Sequence, residues 1–238
     1  MMTEFPDPRL AARPAVIFDL DGVLVITEAL KAKAQEEAVE SLGGSVERRF
    51  YGSVMGGSHE SVRAAFINEG GLDVAPEEYS QRYGQIYERL LDTGLAVSPG
   101  VGDLLEALKQ RGYGLAVATS SQQWMVDRIF AKTDISTFFD VVITANDVAR
   151  HKPAPDAYLA ALERIGVSPE SAVVFEDSGV GVSAAIAAGI RVIGLRHEYN
   201  TEHDFRSVAR TIESFHDTGQ VVGFVDEMLA DTRRSSKP

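Results

Sequence analysis

The chain contains no cysteine. Disulfides, zinc–thiolate centres, thiol redox chemistry and a cysteine nucleophile are therefore excluded. It also has no apolar run approaching the length that crosses a bilayer, and residues 1–14 lack the apolar core of a signal peptide and read as a loose, proline-containing tail. Basic residues are scarce: 23 Lys and Arg stand against 35 Asp and Glu, a net charge of −12. That balance argues against a nucleic acid or an anionic membrane as partner. A small anionic substrate remains compatible, because a metal and a few local cations can reverse the field within one pocket. Internal repeats and low-complexity tracts are absent too. What is present is ordinary for a globular protein with a real core, 45% hydrophobic and 24% charged residues. A chain of 238 residues suits one large domain or a core carrying a smaller inserted one. A monomeric cytoplasmic enzyme is the expectation.

The stretch Val16-Ile17-Phe18-Asp19-Leu20-Asp21-Gly22 runs from buried-strand character into two aspartates and a glycine. Asp and Gly are depleted in strands and favoured in turns, so the strand should end near Phe18. Both carboxylates then lie at the carboxyl end of a strand, where open α/β sheets bind ligands. Crowded acids repel each other unless a cation is present or one takes a proton. Taken alone, this is equally a polar turn or a metal-assisted carboxylate site.

Further along, Thr27 can cap a helix over 28–41 that Gly43-Gly44 ends, and two more helical patterns follow near 60–68 and 76–91. From Pro99 the pattern alternates: helix 103–111, strand 114–118, helix 122–131, strand 141–143, helix 156–165, strand 172–175, helix 180–188 and strand 191–195. A weaker strand near 211–214 and a helix near 220–229 complete it. Such alternation predicts an α/β fold, a doubly wound, mostly parallel sheet, with an inserted helical cap domain. The expected boundaries are a catalytic core over 15–26 and 95–230, a cap over 27–94, and flexible tails at 1–14 and 231–238.

Four strand ends carry polar groups in order: Asp19 and Asp21; Thr119-Ser120-Ser121; His151-Lys152-Pro153 after the third strand and its loop; and Glu176-Asp177-Ser178. In a parallel sheet all four project from one edge. An acid pair, a hydroxyl, an ammonium and a second acid pair can hold a hard divalent cation and grip an oxyanion with Lys152 and Thr119. Each has a plainer reading. Thr119-Ser120-Ser121 can cap the helix at Gln122, Lys152 can be a solvated loop lysine, and Glu176-Asp177 can oppose a helix N-terminus. Gly179-Val180-Gly181-Val182-Ser183-Ala184 formally fits a dinucleotide fingerprint. Two acids at the point where a pyrophosphate would approach argue against it, and the small residues suit close helix packing. Trp124 and Met125 read as core or interface residues, and His197 and His203 as surface loop residues.

The ordered set resembles the haloacid dehalogenase superfamily, in the branch with a helical cap after the first motif. Asp19-Leu20-Asp21-Gly22-Val23-Leu24 matches the opening motif, Thr119 the second, Lys152-Pro153 the third, and Glu176-Asp177-Ser178 with Gly181 the fourth. The pattern is most similar to sugar-phosphate phosphatases and β-phosphoglucomutase-like enzymes. This resemblance implies a Rossmann-like core and a Mg²⁺-dependent phosphatase acting on a small phosphorylated metabolite through an aspartyl-phosphate. Asp19 would be the nucleophile and Asp21 the acid and base; Thr119 would hold phosphoryl oxygens and Lys152 neutralise charge. The implied metal set is the carboxylates of Asp19 and Asp177 and the backbone carbonyl of Asp21, with Glu176 close behind as either a ligand or an orienter. Gly22, Ser120 and Ser121 fall among the substrate-binding positions.

The cap departs from that pattern. Ile26 and Lys31 stand where relatives tend to have Asp and His, and His59 stands where an arginine would grip a second phosphate, with Arg63 one turn on as a substitute. These losses count against the alternative function, a sugar-phosphate mutase. Arg48, Arg49, His59 and Arg63 read equally as a hydrophilic cap surface. A non-catalytic binding module is disfavoured by intact Asp19, Asp21, Lys152 and Asp177.

Overall fold

The computed structural model describes residues 13–235. Six strands among them form one parallel sheet in the order β3-β2-β1-β4-β5-β6. They are β1 (Ala15–Phe18), β2 (Gly114–Ala118), β3 (Val141–Ile143), β4 (Ala172–Glu176), β5 (Arg191–Leu195) and β6 (Arg210–Ile212). The strands are continuous apolar runs because helices cover both faces. Val16, Phe18, Val117 and Phe175 pack into one core with α5 (Val101–Gln110) and α9 (Thr218–Ser235). Ile17, Ala116 and Val174 pack into another with α7 (Asp156–Ile165) and α8 (Gly179–Ala187). Chain order reverses beside β1, whose neighbours are β2 and β4. Ligands bind at the carboxyl ends of strands at such a reversal.

Between β1 and β2 the chain adds α1 (Glu28–Ser41), a short α2 (Tyr51–Val54), α3 (His59–Glu69) and α4 (Pro76–Gly94). The crossing to and from this insertion is double-stranded: Ile26 N–H donates to Ala96 O and Ser98 N–H to Leu24 O. Helix α4 reaches the sheet layer through α6 (Gln123–Lys132), where Trp124 meets Tyr87 edge-on at 6.4 Å. Trp124 is thus an interface residue, 39% exposed.

Several expectations are corrected. Thr27 does not cap α1 with its side chain, and Ser121 does not cap α6; α6 begins after Gln122, and Gln123 N–H bonds Asn146 Oδ1 instead. Both hydroxyls are drawn to Asp21. The helix α2 was not foreseen; four residues are too few for a periodic pattern. Of the expected tails, residues 1–12 and 236–238 lie outside the described residues, while Pro14 O accepts from Gly114 N–H and 231–235 continue α9. Among the described residues no helix is long and apolar enough to cross a membrane.

Candidate active site

Asp19 follows β1 directly, and its N–H still pairs with Phe175 O at 2.9 Å. Its carboxylate is therefore anchored at the sheet edge. Lys152 Nζ donates to Asp19 Oδ1 at 2.5 Å, to Glu176 Oε1 at 2.6 Å and to Ala118 O at 3.1 Å, tying three strand ends together. Tyr158 completes this buried group: its hydroxyl donates to Glu176 Oε1 at 2.9 Å, and its ring lies under the ammonium. Glu176 Oε2 accepts from the N–H groups of Asp177 and Ser178 and from Ser178 Oγ. Burial would discharge both ends of this network, but the ion pairs prevail: Lys152 is held well above its ordinary pKa and Glu176 below. Asp19 differs. Burial, helped by the charges of Glu176 and Asp21, lifts its carboxyl to about 7 against the pull of Lys152.

Asp21 lies across the same cleft in another set of partners. Thr27 Oγ1 donates to Oδ1 at 2.6 Å, while Ser121 Oγ at 2.5 Å and Lys31 Nζ at 2.9 Å hold Oδ2. Burial pushes this carboxyl up, but Lys31 and the two hydroxyls outweigh it and keep it below its usual range. Lys31 also reaches Glu28 at 3.4 Å, and Tyr51 donates to Glu28 Oε2 at 2.7 Å.

Asp177 faces the cleft from the end of β4. Burial and the neighbouring charges of Glu176, Glu28 and Asp19 push its carboxyl well up. The turn at Gly22 passes against it: a Cβ there would stand 1.9 Å from Asp177 Oδ2, and the backbone has φ +76°, so only glycine fits. Gly181 is required for a parallel reason, since a Cβ would lie 1.6 Å from Glu176 Oε1. The first N–H groups of α8 are already used, Gly181 by Ser178 Oγ and Gly179 by His203 Nδ1, so the glycine-rich run is not a pyrophosphate cradle.

These groups enclose a small cavity of about 70 Å³, walled by strand ends on one side and by the insertion on the other. Asp19, Asp21, Thr119, Ser120, Ser121, Lys152, Asp177 and His59 all line it. Gly22, Arg63 and Glu176 do not. Gly22 is turned under Asp177, Arg63 donates to Ser80 Oγ at 3.1 Å in the adjoining groove, and Glu176 is fully enclosed by its own partners. Among the described residues no three His, Asp or Glu side chains converge as a ready-made metal cage. Glu176 is saturated by Lys152, Tyr158 and backbone amides, and the Asp21 side chain by Thr27, Ser121 and Lys31. Asp19 and Asp177 fit a hard cation better. Each is buried, each is raised by like charge, and no hydrogen bond from a described residue reaches Asp19 Oδ2 or Asp177 Oδ1. Two such oxygens, with the remaining positions left to waters and an anionic ligand, suit Mg²⁺.

Sequence reasoning missed His197 and His203. His197 Nε2 lies 2.8 Å from Asp177 Oδ2, and His203 joins Gly179 N–H to Gly52 O. Neither carries a local motif; only the return of the loop after β5 brings them here.

The sheet order, the crevice at its reversal and the four polar strand ends define a hydrolase class. Residues 16–195 match the haloacid dehalogenase-like hydrolase family, and the chain belongs to it. Among its relatives is the phosphorylated carbohydrates phosphatase of Thermotoga maritima, 36% identical over 78% of this chain and 87% of that protein. The fructose-1-phosphate phosphatase YqaB of Escherichia coli is 30% identical over 76% of this chain and 95% of its own length. Among solved structures, a mutant of CbbY from Rhodobacter sphaeroides in complex with xylulose-(1,5)-bisphosphate superposes with a TM-score of 0.77 at 30% identity, covering 86% of this chain and 96% of that one.

Proposed function

We propose that this protein is a Mg²⁺-dependent phosphatase of a sugar or polyol phosphate, and that Asp19 attacks phosphorus to form an aspartyl-phosphate. The observation that carries this reading is Asp19 itself: its carboxylate lines the cleft, with Oδ1 held beside the Lys152 ammonium and Oδ2 left for a cation. A carboxylate so anchored is a positioned nucleophile, and the adjacent ammonium offsets charge on the phosphoryl oxygens. The named phosphatase relatives support the same class.

The helical insertion over 27–94 acts as a cap above a core of 15–26 and 95–230. Asp19 and Asp177 hold Mg²⁺, with the backbone carbonyl of Asp21; the bound ion supplies charge neutralisation at the transferring phosphoryl group. Thr119 and Ser120 present their hydroxyl groups to phosphoryl oxygens, while Ser121 gives its hydroxyl to Asp21 and its N–H to Thr119 Oγ1. Asp21 stands in its ionised form, suited to take a proton from the water that hydrolyses the aspartyl-phosphate. Its acid role in the first half requires a substrate oxygen to displace Lys31 from Oδ2, which removes the group that most depresses its pKa. A mutase would need cations for a second phosphate. Arg63 turns away to Ser80, so hydrolysis is favoured.

A panel of phosphorylated sugars and polyols, scored for free phosphate and for isomerised product, tests this. Phosphate release with Mg²⁺ is expected, abolished by chelation and lowered at least about 10⁴-fold by Asp19→Asn. Isomerised product without phosphate release, or full activity of Asp19→Asn, overturns it.

A further inference from the structure

The loop between β5 and β6 supplies groups to the site that no motif announces. Three of its side chains converge on the segment that begins at Asp177. His197 Nε2 meets Asp177 Oδ2 at 2.8 Å. Asn200, fully buried, donates through Nδ2 to Asp177 O at 2.7 Å and to Leu195 O at 2.8 Å. His203 Nδ1 accepts from Gly179 N–H at 3.1 Å. The imidazole of His197 is itself held in one tautomer. Its Nδ1 accepts from Tyr199 N–H at 3.2 Å, so in the neutral ring Nε2 carries the hydrogen and donates it to Asp177. Asp177 is thereby gripped at one carboxylate oxygen and at its carbonyl, with Oδ1 left as the oxygen presented to the cleft.

We propose that His197 is the positioning residue of the metal site, and that its Nε2–H fixes the Asp177 carboxylate so that Oδ1 meets Mg²⁺. The inference rests on the metal-dependent reading above. Fixing a ligating carboxylate through a hydrogen-bonded partner is worth about 10–100-fold in metal affinity. Asn200 holds the backbone beneath the same side chain, so the loop sets both position and rotation of the ligand. The loop also touches the insertion: His203 Nε2 donates to Gly52 O at 3.0 Å, and the Tyr199 ring stands edge-on to Tyr51 at 6.4 Å. Metal binding at Asp177 and the seating of α2 therefore share one support.

The test is isothermal titration of Mg²⁺ into the full chain without substrate, paired with the Mg²⁺-induced shift in thermal midpoint. His197→Phe keeps the ring and loses the donor; its Mg²⁺ dissociation constant should rise about 10–100-fold. His197→Gln places an N–H near the Nε2 position and should restore binding to within about threefold of the parent, a recovery that a merely structural role for the ring does not give. His197→Asn, polar but too short to reach Asp177, should bind as weakly as the phenylalanine variant and replaces it if that variant fails to fold. Parental Mg²⁺ affinity in the short or apolar variants, or a glutamine variant no better than asparagine, overturns the proposal. Asp177→Asn separates the two readings: Mg²⁺ binding that needs Asp177 in a protein without phosphatase activity sinks the functional reading and leaves the role of His197 standing.

Discussion

Lys152 is a buried ammonium group and Lys31 a half-buried one, each paired with two carboxylates, yet different parts of the molecule hold them. Lys152 links Asp19 and Glu176 at the edge of the sheet, at 2.5 and 2.6 Å, with Ala118 O and the Tyr158 ring completing its shell. Asp19, Glu176 and Ala118 lie at the ends of strands whose register is fixed, and Tyr158 stands on α7. Lys31 links Asp21 and Glu28 at 2.9 and 3.4 Å, and it rides on α1 of the helical insertion. Its contact with Asp21 crosses between the two parts. The first lysine therefore belongs to a fixed charge frame, whereas the second makes the contact that the proposed mechanism has a substrate replace.

Removing Lys152 should break this contrast most severely. Lys152→Met leaves Asp19 and Glu176 buried without their cation, and breaking such a pair costs about 3 kcal/mol or more. Urea unfolding in the absence of divalent cations should read that loss, equivalent to roughly 6–12 °C in thermal midpoint for a domain of this size. Turnover should fall at least about 10²-fold, since a group stabilising phosphoryl charge is lost. Lys31→Met should be milder for stability, about 1–2 kcal/mol, because hydroxyls of Thr27, Ser121 and Tyr51 still serve the two acids. Its mark should appear in kcat/KM, lowered roughly 10–100-fold in steady-state assays as Asp21 loses its orientation. If Lys31→Met unfolds the protein more readily than Lys152→Met, the division between fixed and replaceable lysine is wrong. Arg63→Ala should do least. Its guanidinium serves Ser80, so stability should stay within about 0.5 kcal/mol and kcat should be unchanged. A large rise in KM for the sugar phosphate would return Arg63 to the substrate side.

Much of the fold was legible because strands buried on both faces are continuous apolar runs. The end of the first strand at Phe18 and the spans 114–118, 141–143 and 191–195, with helices 28–41 and 156–165, coincide with observed elements. The strand-end residues were legible for a related reason: Asp19, Thr119, Lys152 and Asp177 each follow an apolar run or its loop, and parallel topology puts them on one edge. Side-chain partners were not. Thr27 and Ser121 sit where caps belong, but a buried carboxylate is a stronger attraction than an exposed amide at a helix end, so both hydroxyls go to Asp21. The sequence leaves Glu176 as either a ligand or an orienter beside Asp177, and only the structure shows its side chain going to Lys152 and Tyr158.

The sequence by itself determined the sheet, the insertion point and the four strand ends, because periodicity and strand-to-turn transitions are local properties of the chain. Only the tertiary structure decided how the charges divide. It set Lys152 with Asp19 and Glu176, gave Asp21 to Lys31, and brought His197 and Asn200 back from the loop after β5 to Asp177. Those pairings depend on which side chains meet after packing, and Coulomb and hydrogen-bond energies between groups far apart in sequence leave no periodic trace along it.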